Sequence, residues 1–225
     1  MYVGWNMKTS LMTVTPETSV FKARDIMDTH KIKHLPVTDG KGHLVGILTD
    51  RDLREAWASP ATTLSVHELT YVLQKLNVGS IMNKKVITAS PDMSIERAAR
   101  IIHDHKIGAL PVVKDKLLVG IITVTDLMEL LLTALGMSDD SKRISLMVRD
   151  RIGVLAEVGR LMSQADINIR SVMIMPLTGY SDVWQLIMRV NMIHFSRAVE
   201  ILKSADYRIL TEYVEDLSPY LSDIP

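Results

Sequence analysis

The stretch Leu35-Pro36-Val37, a short turn, and then Leu44-Val45-Gly46-Ile47-Leu48-Thr49-Asp50-Arg51-Asp52-Leu53 recurs downstream as Leu110-Pro111-Val112 and Leu118-Val119-Gly120-Ile121-Ile122-Thr123-Val124-Thr125-Asp126-Leu127. Extending outward, a shift of 75 residues, the separation of Pro16 from Pro91, also aligns Val3, Gly4 and Met7 with Val78, Gly79 and Met82. His30-Lys31-Ile32 recurs as His105-Lys106-Ile107, and one residue is dropped in the turn that follows Val112. The chain therefore carries a duplicated unit.

Each copy reads as a short β-like run, a proline, a helix start, two β-like runs around a turn, and a second helix, in the order β-α-β-β-α. Ser19 is placed to cap a helix whose face is Val20, Ala23, Ile26 and Met27; Ile95, Ala98, Ile101 and Ile102 repeat that face. Asp39-Gly40-Lys41-Gly42 supplies the turn between strands. Between the copies, Ser59-Pro60-Ala61-Thr62-Thr63 reads as a loop and Leu64 to Leu76 as a connecting helix.

The paired Leu-Pro-Val and Leu-Val-Gly-Ile-x-Thr-x-x-Asp-Leu motifs resemble the CBS repeat, and two of them resemble a CBS pair, or Bateman module. The resemblance implies two repeats packed about a pseudo-twofold axis with two clefts between them, and a regulatory adenine nucleotide or adenosyl compound (AMP, ADP, ATP, S-adenosylmethionine or NAD) as ligand. Thr-x-x-Asp by itself is also a helix-capping box. Read as a ligand site, the same helix start offers free amides to a phosphate and an aspartate to a ribose diol. Both readings stand.

Carried over on that resemblance, the first site comprises Thr13, Val14, Thr15, Pro16, His34, Leu35, Pro36, Thr49, Arg51 and Asp52. The second comprises Thr88, Ala89, Ser90, Pro91, Ala109, Leu110, Pro111, Thr123, Thr125 and Asp126. The sites are unequal: Arg51 faces Thr125 across the duplication, and His34 faces Ala109. Unequal affinities are expected.

Beyond the leucine-rich helix Leu127 to Leu135 and the polar linker at Ser138-Asp139-Asp140-Ser141, the pattern changes. Ile144 to Val148 is strand-like, Gly153 to Ala165 helix-like, and Ile167 to Met175 and Val183 to Val190 strand-like; Phe195 to Ala205 is a helix and Tyr207 to Val214 a last strand. This β-α-β-β-α-β order builds a ferredoxin-like sheet. The run from Arg149 to Leu155, with Asp166-Ile167-Asn168-Ile169, resembles the ACT domain. That resemblance implies amino-acid binding by Asp150, Arg151, Ile152, Gly153, Val154, Leu155 and Asn168. Ile152 departs from the Pro or other small turn residue usual there; on the alternative reading Gly153 serves only the turn and Asn168 only a backbone group.

The fold class is thus α+β, with CBS repeat 1 at 3–58, a connector at 59–77, CBS repeat 2 at 78–135, a linker at 136–141, an ACT domain at 142–216 and a tail at 217–225. This arrangement resembles AcuB-type acetoin-utilisation regulatory proteins.

Composition narrows the function classes. Lys+Arg and Asp+Glu are both 26, so no net field draws the chain to nucleic acid or anionic lipid. Cysteine is absent, which excludes disulfides, thiolate metal sites and a cysteine nucleophile. No apolar stretch reaches membrane-spanning length and Met1 to Thr9 has no signal-peptide core, so a cytoplasmic protein is expected. His103 and His105 lie two apart on a helix and make poor joint metal ligands, and no nucleophile–base, phosphate-loop or metalloprotease motif occurs. Of the 14 methionines, Met12, Met27, Met162 and Met188 sit in apolar runs and are expected to fill the core. No catalytic residue, catalytic cofactor or metal is expected. The expectation is a ligand-sensing regulator, dimeric, in which occupancy is coupled through the helix Leu127 to Leu135 to the ACT domain and relayed to a partner; the main rival is an interaction subunit with no small ligand, and a weaker one an enzyme whose site escapes recognition.

Overall fold

The computed structural model describes residues 1–58, 75–180, 182–210, 212–217 and 220–221. The expected 59–63 loop and all but the end of the expected 64–76 helix lie outside them. The chain forms two compact units, Met1–Met128 and Glu129–Pro225.

In the first unit, copy one contributes α1 (Val20–His30), β1 (His34–Thr38), β2 (Leu44–Thr49) and α2 (Asp50–Ala58). After the short α3 (Val78–Ile81), copy two contributes α4 (Ile95–His105), β3 (Ala109–Lys114), β4 (Leu117–Thr123) and the start of α5 (Val124–Ala134), which crosses the boundary at Met128. The helix starts follow the capping residues: the amides of Lys22 and Arg97 donate to the hydroxyls of Ser19 and Ser94, both at 3.2 Å. Val20, Ala23 and Met27 are buried against Leu35, Val37 and Leu48, while Ile26 is half-buried. The first β-like run of each copy reduces to one bridge, Val14 beside Val37 and Ala89 beside Val112, both parallel.

β1 pairs antiparallel with β2, and β3 with β4. The turn in copy one uses Gly42 at φ 84°, and the Asp39 carboxylate accepts from the amides of Lys41 and His43. Copy two makes a tighter turn with Asp115 and Lys116 both at positive φ, which accounts for the dropped residue.

The copies are completed by each other. Val3 and Gly4 donate to the carbonyls of Met93 and Pro91, and Lys8 exchanges two backbone hydrogen bonds with Ile121. Reciprocally, Val78 and Gly79 donate to Thr18 and Pro16, and Asn83 exchanges two with Ile47. Val3 and Val78 are fully buried by this exchange, and Val78 joins the core of copy one. The glycine in each Leu-Val-Gly-Ile is explained here. A Cβ on Gly46 would lie 2.5 Å from Met82 Sδ and 3.2 Å from the Asn83 carbonyl oxygen, and one on Gly120 would meet Met7 and the Lys8 carbonyl in the same way.

The second unit runs β5 (Ser141–Arg149), α6 (Val154–Gln164), β6 (Ile169–Pro176), β7 (Val183–Asn191), α7 (Phe195–Ser204) and β8 (Arg208–Leu210). Its sheet has the order β6-β7-β5-β8 with every pair antiparallel. Ile144, Leu146, Val148, Leu186, Met188 and Val190 bury one face against Val154, Val158 and Met162 of α6 and Ala198 and Leu202 of α7. Of the expected last strand, the described residues Arg208–Leu210 pair with Ser145, Leu146 and Met147. Met27, Met162 and Met188 are buried as expected, but Met12 is 44% exposed: no strand forms around it to carry its side chain inward.

Replacing Gly46 by Val should cost about 1–3 kcal/mol by overpacking, read as a lower urea midpoint. Adding Met82→Ala to that variant should recover part of the loss, and an unchanged midpoint in Gly46→Val would show that the two copies do not approach this closely.

Candidate functional site

Both Thr-x-x-Asp motifs form reciprocal caps. Asp52 Oδ2 accepts from the Thr49 amide and hydroxyl, each at 2.7 Å, while the Asp52 amide donates to Thr49 Oγ1 at 3.3 Å. Thr123 and Asp126 repeat this at 2.8, 2.7 and 3.3 Å. Capping is therefore realised at both helix starts, and it uses only one oxygen of each carboxylate.

A cavity of about 370 Å³ opens at the first cap, within the size range of small-molecule sites. Copy one gives it His34, Ile47 and the run Thr49 to Asp52; the chain entering copy two gives Asn83, Lys85, Val86 and Ile87; copy two itself gives Lys106, Ile107, Gly108 and Ala109. The site is thus built from both copies. Arg51, Lys85 and Lys106 are in no ion pair among the described residues, whereas Asp50 is paired with Arg54 at 3.1 Å. The free oxygen of Asp52, its Oδ1, has no hydrogen-bond or ionic partner among the described residues.

His34 packs against the backbone of Gly108, where an added Cβ would lie 2.5 Å from its Nε2. Burial lowers its pKa below 6.5, opposed by the negative charge of Asp50, helped by Lys33 and opposed again by Asp52. The ring is therefore held neutral near pH 7.

The expected first-site residues divide. His34, Thr49, Arg51 and Asp52 line the cavity, joined by Ala109 from the expected second site. Thr13, Val14, Thr15 and Pro16 do not: Val14 is buried beside Val37, the Thr15 amide donates to Thr18 Oγ1, and the Pro16 carbonyl accepts from Gly79. Leu35 and Pro36 are buried within copy one. In copy two, Ala89, Leu110 and Pro111 are likewise buried, Pro91 accepts from Gly4, and Thr88 and Ser90 lie apart from the first cavity. Thr123, Thr125 and Asp126 stand at the second helix start, where Lys8 Nζ meets Asp126 Oδ1 at 2.9 Å. Burial raises the Asp126 pKa, but hydrogen bonds from Lys8 and Thr123 outweigh it and the net shift is downward.

Asn83, Lys85, Val86, Ile87, Lys106, Ile107 and Gly108 were not expected at the first site. The signal for the segment Asn83 to Ile87 is the match of Val3, Gly4 and Met7 with Val78, Gly79 and Met82 just before it, and that for Lys106 and Ile107 is the recurrence of His30-Lys31-Ile32 as His105-Lys106-Ile107. Met12, at the position equivalent to Ile87, owes its exposure to the same placement outside the core.

In the second unit, Gly153 takes φ 93° at the start of α6, Val154 is buried, and Ile152 and Leu155 are exposed. Arg151 Nη2 donates to Glu157 Oε2 at 2.6 Å, and the Asp150 amide donates to the Asp182 carbonyl. Asn168 lines a separate depression with Gly159, Ser163 and Asp166 that includes no residue of the turn. Among the described residues no helix is long and apolar enough to cross a membrane, and no three His, Cys, Asp or Glu side chains could hold a metal ion.

The CBS domain family matches residues 3–59 and 78–133, and the chain belongs to that family. It is 35% identical over 130 residues to a CBS domain-containing protein of Dictyostelium discoideum, covering 57% of this chain and 90% of that one. It is 36% identical over 141 residues, 62% of this chain, to inosine-5'-monophosphate dehydrogenase of Helicobacter pylori, but spans only 25% of that enzyme. Among solved structures it is similar to an acetoin utilization protein (AcuB) from Vibrio cholerae, with 27% identity, a TM-score of 0.52, and coverage of 60% of this chain and 93% of that one. The CBS domain pair of protein MJ0100, solved with 5'-methylthioadenosine and S-adenosyl-L-methionine, is 30% identical with a TM-score of 0.50, covering 58% and 99%. CBSX2, solved with AMP, is 30% identical with a TM-score of 0.50, covering 59% and 96%.

Because the native His34 binds fewer protons than the unfolded chain between its lowered pKa and 6.5, its contribution to stability rises with pH across that window and is lost on acidification. The wild type should therefore gain urea resistance relative to His34→Gln on going from about pH 5 to about pH 7.5, and the His34 ring resonance should titrate below 6.5. A ring midpoint at or above that value would contradict its burial.

Proposed function

We propose that this chain is a non-enzymatic sensor that binds an adenine nucleotide in the cavity at Thr49–Asp52 and relays occupancy to a partner protein. The observation that carries this reading is that Asp52, whose Oδ1 has no partner among the described residues, lines one cavity with three cations, Arg51, Lys85 and Lys106, that have no acidic partner among those residues. A carboxylate oxygen free of its capping duty can accept from a ribose diol, and the start of α2 with three cations suits phosphate. The same cations oppose the sulfonium of S-adenosylmethionine. AMP, ADP, ATP and NAD are thus favoured over it, although the complexes of MJ0100 and CBSX2 support adenosyl ligands of either kind.

The C-terminal unit, residues 142–216, is assigned as an ACT-type domain. Its connectivity and its strand order β6-β7-β5-β8 support a ferredoxin-like fold, and Gly153 at positive φ supports a tight strand-to-helix turn. An amino acid would bind at Asp150–Leu155. The exposed Ile152 and Leu155 support placing that site where a second copy covers it; the proposed assembly is a homodimer, and its proposed location the cytoplasm. On α5, Val124, Met128, Leu131 and Leu132 form an exposed apolar stripe, which supports a protein-contact role for this helix and favours, as a second reading, an interaction subunit without a small ligand.

A thermal-shift panel of AMP, ADP, ATP, NAD, S-adenosylmethionine and amino acids separates the readings. A nucleotide at 100 times its dissociation constant should stabilise the nucleotide-binding state by about 2.7 kcal/mol. Asp52→Ala should weaken that ligand at least about tenfold, and Arg51→Ala should weaken ATP more than adenosine. Absence of a shift with every adenosyl compound would favour the interaction subunit.

A further inference from the structure

The duplication supplies an internal control for the second cleft. Lys8 and Asn83 hold equivalent places: each exchanges two backbone hydrogen bonds with the second strand of the opposite copy, Lys8 with Ile121 and Asn83 with Ile47. Their side chains differ in what they do. Asn83 makes no hydrogen bond to Asp52; its Oδ1 accepts from the Lys85 amide at 2.9 Å. Lys8 reaches Asp126, so that Thr123 occupies Oδ2 and Lys8 occupies Oδ1. The carboxylate of Asp126 is nearly buried and its charge is answered from within the chain, whereas the matching oxygen of Asp52 is free.

We propose that Lys8 closes the second cleft to nucleotide, so that the chain binds a single nucleotide and does so in the first cleft; this rests on the sensor reading above. A ribose diol at Asp126 would have to displace a charge-assisted hydrogen bond that it cannot replace in kind. The second cleft also offers less to a phosphate, because Thr125 and Ser10 stand where the first has Arg51 and Lys85. The closure is reversible rather than structural: the Lys8 side chain remains 64% exposed, and its backbone anchorage to Ile121 does not depend on the ammonium. A one-residue change at position 8 therefore releases Asp126 Oδ1 from its ionic partner, the state Asp52 Oδ1 has in the first cleft.

Isothermal titration of the full chain with AMP tests this. The wild type should bind one AMP per chain. Lys8→Asn, which installs the side chain found at the matching position of the first cleft, should bind a second, with that site tightened at least about tenfold, and Lys8→Asn with Asp126→Ala should return to one. A wild type with two sites, or Lys8→Asn remaining at one, overturns the closure. Should Lys8→Asn fold poorly, the wild-type background decides: Asp126→Ala should leave AMP affinity unchanged while Asp52→Ala removes it, and a tenfold loss in Asp126→Ala overturns the proposal. If AMP does not bind, the same titrations are read with whichever of ADP, ATP and NAD does; a folded wild type that binds none of the four overturns the sensor reading itself, a result distinct from either.

Discussion

The first unit depends on the close contact between each copy's entry segment and the second strand of the other. Met82 lies over Gly46 and Met7 over Gly120, at distances a side chain on either glycine would forbid. From that contact follow the burial of Val3 and Val78, the placement of Asn83 and Lys8 beside the two helix starts, and the routing of Lys85, Val86 and Ile87 along the first cavity. The cavity is a by-product of the exchange, since neither copy alone supplies its walls.

The capping box and the candidate ligand site occupy the same four residues without competing. Thr49 and Asp52 satisfy the helix start through one carboxylate oxygen and leave the other without a partner among the described residues. A fully satisfied cap also fixes the aspartate in one orientation, which lowers the ordering cost of any ligand that meets it. Helix stability and site pre-organisation are here one arrangement.

Much of this was legible from residue pattern. The duplication, the helix faces at Val20–Met27 and Ile95–Ile102, the serine caps and the alternation in β5 and β7 are local regularities, and local physics enforces them. The cavity was legible only in part. His34, Thr49, Arg51 and Asp52 belong to a motif that is itself local, but their opposite wall comes from residues whose role is set by packing across the duplication. Thr13 to Pro16 enter the site only through the family resemblance; in the structure Val14 bridges Val37 and the Pro16 carbonyl accepts from Gly79, so their backbone is engaged by the packing of the copies. The pairing of Lys8 with Asp126 spans most of the first unit and leaves no trace in periodicity or spacing.

The reciprocal segments also constrain how such a chain could have arisen. A solitary repeat has no source for the strand-edge partner and buried valine that complete it except a second molecule of the same kind, so its self-sufficient form is a symmetric pair with two identical clefts. Joining the two halves into one polypeptide removes that identity. Position 8 and position 83 can then mutate separately, one to a lysine and the other to an asparagine, and a difference between clefts that symmetry forbids becomes open to selection.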